Sequence, residues 1–210
     1  MNRLPAKIIA FLLHPLLMPL YATWMLFNSG SYLGYITTPF LQRFVYLVVF
    51  VTTFLMPALS SWFMVRQGKI SSLEMYDRKE RSIPFFFTLI SFIACIFLLY
   101  KLPVPRLITL FVSGGALIIL YAFFVNLRWK ISIHMIGIGG LMGMMFSYSY
   151  LFHVQMIYLL MGIAVLAGTL GTARMILKAH SPGQVYAGFL SGFVIEAGYI
   201  WLVVYKLLAH

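Results

Sequence analysis

The chain has 210 residues, 62% hydrophobic and 9% charged, with fifteen Lys and Arg against four Asp and Glu for a net charge of +11. Soluble domains carry about 45–50% apolar and about 25% charged residues, so a water-soluble fold is excluded. The cations fall in short segments between apolar runs, which argues against a nucleic-acid surface and for anionic lipid headgroups as their neighbours.

One crossing of a bilayer takes about 20 mostly apolar residues. This length therefore holds six or seven crossings with little left over, and residues 1–210 read as a single all-α polytopic transmembrane bundle. The apolar stretches run approximately over 8–27, 43–65, 83–100, 105–126, 132–150, 153–172 and 183–207. The first follows Arg3 and Lys7 and resembles a signal peptide, but it is too long, contains His14, Pro15 and Pro19, and lacks a small-residue cleavage site. It is read as a span, and His14, between its prolines, as a cap for a broken helix backbone. Cys95, inside the third stretch, has no second cysteine to pair with and is read as packing. The turns after the third and fifth stretches are a few residues long and predict two antiparallel helix pairs. Gly139 with Gly143, and Gly188 with Gly192, have the four-residue spacing that lets helices approach closely in lipid. Glu196 falls near the centre of the last span, where an ionised carboxylate is costly, and is expected to be a protonated, hydrogen-bonded acid. His153 and His210 fall on the far face and carry no reading.

Seven crossings put the N-terminus and the loops near 66–82, 127–131 and 173–182 on one face. Eleven of the fifteen basic residues lie there, against Arg43, Lys101, Arg106 and Lys206 opposite. That bias points to the cytoplasm, in a bacterial inner membrane. The polar clusters gather on the same face, as DRKERSIP (77–84), KISIHMIGIGG (130–140) and ARMILKAHSPGQVYAG (173–188). Polar groups spread through the spans would have implied a transport path; clustering at one end implies an interfacial site.

In the third segment Ser181 reads as an N-cap, Pro182 as the first helical residue and Gln184 as the third, a capping box. His180 then stands just ahead of a helix N-terminus, where amides and dipole favour an anion such as phosphate. Arg174 and Lys178 are four apart and are expected to project from one side of the preceding helix. His134 lies at the same depth, two spans earlier. One histidine can attack phosphorus while another protonates the leaving alcohol, with cations holding the equatorial oxygens. Magnesium-assisted chemistry needs several carboxylates, and the chain has only Glu74, Asp77, Glu80 and Glu196. The expectation is a site without metal or cofactor.

ARMILKAHSPGQVYAG resembles the third signature of the type 2 phosphatidic acid phosphatase superfamily, with Arg174, His180, Pro182, Val185 and Gly188 in register. Ser132-Ile133-His134 resembles the second signature, with its Pro and Gly lost. The resemblance covers roughly 76–190, and a phosphatase-like core of about 76–207. It implies His180 as the nucleophile that forms a phosphohistidine, His134 as general acid, and Arg174 and Ser132 as phosphate ligands. Arg78, Lys79 and Arg81 supply the role of the first signature without its spacing, Arg81 being the strongest. Gln184 stands where the family has the Asp that orients the nucleophile, and Ala173 where it has Ser.

The function expected is metal-independent hydrolysis of a lipid phosphate or diphosphate, with membrane lipids around the protein and a lipid phosphate as its substrate. A lipid phosphotransferase would use the same residues. A non-catalytic lipid-phosphate binder or transporter would keep the pocket and lose turnover, which the Gln184 substitution leaves open. DRKERSIP also has a plain reading as a basic loop whose acids pair with its own bases.

Overall fold

The computed structural model describes residues 3–30, 32–75 and 77–208, with residues 207 and 208 described by backbone alone; His210 lies outside them. It is all-helical over these residues. The helices are α1 (Arg3–Leu12), α2 (Met18–Asn28), α3 (Tyr32–Ile36), α4 (Pro39–Val49), α5 (Met56–Arg66), α6 (Ser82–Lys101), α7 (Arg106–Asn126), α8 (Ile133–Leu151), α9 (Ile157–Ile176) and α10 (Pro182–Leu208). A 3-10 turn at Pro15–Leu17 joins α1 to α2, a π turn at Phe50–Leu55 joins α4 to α5, and a second 3-10 turn at Arg78–Arg81 leads into α6.

Among the described residues six helical runs are long and apolar enough to cross a membrane: Arg3–Asn28, Pro39–Arg66, Arg78–Lys101, Arg106–Asn126, Ile157–Ile176 and Pro182–Lys206. Their outward faces expose Phe63, Phe97, Val165, Tyr158, Val194 and Leu202, an apolar exterior that suits lipid and not water. The protein is thus an integral membrane protein by its helices. The fifth stretch of the sequence, α8, is not among the six. Four glycines, two serines and two tyrosines dilute its hydropathy, and most of its side chains are buried against protein, where lipid imposes no demand.

The chain divides into two compact units, residues 19–131 and residues 1–18 with 132–210. In the first, α6 and α7 form the expected antiparallel pair, with Phe92, Cys95, Leu99, Ile108 and Val112 buried. Pro57 interrupts the helix that enters α5, and the hydroxyls of Thr52 and Thr53 bond the carbonyls of Val48 and Val49 in the disturbed stretch, as expected where proline removes a backbone donor.

The second unit is built on α8 and α10. A Cβ on Gly139 would stand 2.2 Å from the Phe189 carbonyl oxygen, one on Gly143 2.5 Å from that of Phe193, and one on Gly192 2.1 Å from that of Ile136. The two helices touch backbone to backbone, and the rising numbers on both sides make them parallel. Phe146 against Phe193 and Tyr150 against Trp201 continue the register. The glycine spacing read from the sequence is therefore the seam between the two motif-bearing helices. α9 returns between them in sequence and packs on α1 and α8.

Candidate functional site

Parallel packing brings the first turns of α8 and α10 together. The Ser132 amide lies 3.4 Å from the Gln184 carbonyl, and a Cβ on Gly188 would meet the Ser132 carbonyl at 2.9 Å. Two helix N-termini, each with amides unsatisfied within the helix, thus adjoin. The Ser132 hydroxyl is buried and has no hydrogen-bond partner among the described residues, and it makes no cap bond to α8.

Around α10 the capping box forms as expected. Gln184 Oε1 accepts from the Ser181 amide at 3.2 Å and from His180 Nδ1 at 3.0 Å. The backbone amide can only donate, so it fixes the carboxamide with its oxygen inward; that oxygen in turn makes Nδ1 the donor. A neutral His180 ring then carries its lone pair on Nε2. His180 itself is only 8% exposed. Gln184 is both cap and orienter of the ring.

Arg174 lies in the last turn of α9, and the turn that follows is a Schellman motif: the Ala179 amide bonds the Arg174 carbonyl at 3.1 Å and the Lys178 amide that of Met175 at 2.9 Å. Lys178 takes the left-handed position, φ 53°, where glycine is usual. This corrects the expectation that Arg174 and Lys178 share a helix face: α9 stops at Ile176, and Lys178 is exposed beyond it.

The His134 ring donates from Nε2 to the Ala10 carbonyl at 3.1 Å; a carbonyl only accepts, so the proton on Nε2 is fixed. Arg174, His180 and His14 all lie within electrostatic reach of that ring. His14 was read as a backbone cap, and it is one: it precedes Pro15, and its Nδ1 accepts from the Leu16 amide at 3.3 Å. Its ring also stands edge-on to His134, centroids 5.3 Å apart and planes at 79°. This neighbour was not identified as a site residue from the sequence. A histidine inside an apolar span was the available signal, but its match in depth to His134 is a tertiary fact.

The cations of DRKERSIP lie in the other unit. Arg78 Nη1 donates to the carbonyls of Asn126, at 3.2 Å, and Leu127, while Asn126 Nδ2 donates to the Arg78 carbonyl at 2.8 Å; this arginine caps the end of α7. Arg81 is buried and donates from Nε to the Met75 carbonyl at 3.0 Å. Lys79 is exposed. Among the described residues the acids bond other groups than the side chains of local bases: Asp77 accepts from the Lys79 amide, and Glu80 from the amide and hydroxyl of Ser71. In α10, Glu196 is buried with Oε1 lacking a hydrogen-bond partner among the described residues, so the bonded acid expected there is not seen at that oxygen.

Among the described residues no three His, Cys, Asp or Glu side chains group as metal ligands. No family model, curated protein or solved structure matches the chain.

Proposed function

We propose that the protein hydrolyses a lipid phosphate or diphosphate without metal, as a divergent relative of the type 2 phosphatidic acid phosphatases. The observation that carries the reading is the hydrogen bond from His180 Nδ1 to Gln184 Oε1, which turns the basic Nε2 of a buried imidazole away from its orienter at the start of α10, while His180 and Arg174 both lie within electrostatic reach of His134.

In the proposed cycle His180 Nε2 attacks phosphorus and the bond from phosphorus to the lipid oxygen breaks. His134, its Nε2–H held by the Ala10 carbonyl, must enter this step as the imidazolium; it gives its Nδ1 proton to the leaving oxygen and becomes neutral. Water then attacks the phosphohistidine and passes a proton to the His134 Nδ1 lone pair, the nitrogen–phosphorus bond breaks, and phosphate leaves with His134 recharged for the next turnover. Arg174, the Ser132 hydroxyl and the two helix N-termini oppose the charge that develops on the equatorial oxygens. Gln184 fixes the His180 tautomer but, as a neutral amide, stabilises the cationic ring less than a carboxylate would, by roughly one to a few kcal/mol. A slow enzyme follows. Phosphatidic acid, phosphatidylglycerol phosphate and polyprenyl diphosphate all fit a headgroup-sized anion on a membrane tail. The charge bias of the loops supports a cytoplasmic face for the site in this reading, and labelling of a cysteine at the exposed position 178, two residues from His180, from outside intact cells tests it.

The test is phosphate release from these lipids in detergent. Release that orthovanadate blocks and His180→Ala abolishes is the expected result. Tight vanadate binding with no release from any of them would replace hydrolysis with the binder reading, which the missing Asp favours.

A further inference from the structure

The three family signatures leave the N-terminal helix without a role, yet that helix reaches the centre of the proposed site. The chain breaks at the end of α1 because Pro15 has no amide to donate and its ring opposes a continued helix. At the break His14 turns out of the helix, φ −66° and ψ 135°, and holds the next turn through Leu16. The carbonyl of Ala10, one turn earlier, receives His134 Nε2. The His14 ring meets the His134 ring edge to face. On the other side Gly137 accommodates the break: a Cβ there would stand 3.0 Å from Pro15 Cβ and 3.3 Å from Met18 Cγ. α1 also packs on α9, the helix whose last turn carries Arg174.

His134 is therefore held in one plane by two groups of the same broken segment, a carbonyl at one ring nitrogen and an imidazole against the ring. Its own helix supplies the Cα position; the N-terminal segment supplies the orientation.

We propose that His14 is a positioning residue for His134, and that through it the N-terminal segment sets the direction in which His134 delivers its proton to the leaving oxygen. The proposal rests on the phosphatase reading above. A general acid contributes about 10²–10⁴-fold, and a displacement of about 1 Å can cost about 10²-fold. Loss of the His14 ring thus lowers kcat on a lipid phosphate by about 10- to 100-fold and leaves KM within about twofold.

Two features separate this from a merely structural role. Asn is among the best capping residues, so His14→Asn keeps an acceptor for the Leu16 amide while removing the ring, and His14→Ala removes both. The second feature is the leaving group: p-nitrophenolate departs without a proton, whereas a lipid alkoxide needs one. The experiment measures kcat, KM and Tm for the wild type, His14→Asn, His14→Ala and His134→Gln on phosphatidic acid and on p-nitrophenyl phosphate. Expected is a His14→Asn protein with wild-type Tm that loses turnover on the lipid and keeps it on the aryl phosphate, the same signature as His134→Gln. A His14→Asn enzyme that matches wild type on both substrates, or loses both alike, would overturn the positioning role while leaving hydrolysis intact. A wild type that releases phosphate from neither substrate would overturn the phosphatase reading and this proposal with it.

Discussion

Replacing Gly192 with Ala tests the seam on which both motif helices depend. The added Cβ falls 2.1 Å from the Ile136 carbonyl oxygen, 2.9 Å from its carbon and 3.0 Å from the Gly140 amide nitrogen. All three are backbone atoms of α8, so no side-chain rotation relieves the clash. Restoring a contact of roughly 3.5 Å from 2.1 Å requires α8 and α10 to part by at least about 1.4 Å, at a cost of about 1–3 kcal/mol for overpacking. The same parting moves the first turn of α8, with His134, relative to that of α10, with Gln184 and His180. A shift of about 1 Å between reacting groups costs about 10²-fold in rate. Gly198→Ala is the internal control, because a Cβ there meets nothing within 4 Å on the same helix. The assay is Tm in detergent together with phosphate release from phosphatidic acid. Gly192→Ala is expected to lose both stability and about two orders of magnitude in rate, with Gly198→Ala neutral or slightly stabilised. Gly192→Ala as stable and as active as Gly198→Ala would refute backbone contact between α8 and α10.

Gln184→Glu is isosteric and converts the two bonds from His180 and Ser181 into charge-assisted ones, so the rate of lipid phosphate release should rise; Gln184→Asp should follow with less reach, and unchanged or lower rates for both would remove Gln184 as orienter. Lys178→Gly relieves the left-handed position at φ 53° and should stabilise by about 1 kcal/mol, read as a higher Tm in detergent; a lower Tm would speak against the Schellman geometry. Arg78→Ala leaves the Asn126 and Leu127 carbonyls uncapped and should cost about 1–3 kcal/mol while leaving orthovanadate affinity unchanged. Weaker vanadate binding at an unchanged Tm would return Arg78 to the phosphate ligands expected from the sequence.

Much of this protein is decided locally and was therefore readable in its sequence. Composition selects lipid as solvent, the length of each apolar run selects helices, and Ser181, Pro182 and Gln184 start α10 where they stand because a capping box involves only neighbours in the chain. The glycine pairs announced a close helix contact for the same reason, although not which helices would share it. Other features depended on what lies next to a residue in space. Lys178 could be placed only once the turn after Ile176 was known to enter the left-handed region, since the i, i+4 rule holds only while the helix continues. Arg78 turned out to bond a helix end 48 residues away, and α8 proved less lipid-like than its length suggests because neighbouring helices cover it. His14 shows the division best: its place beside a helix break follows from Pro15, but its contact with His134 joins residues far apart in the chain. Only the packing of α1, α8 and α9 brings those two rings together, because propensity and capping act over a few residues whereas close packing acts wherever two surfaces fit.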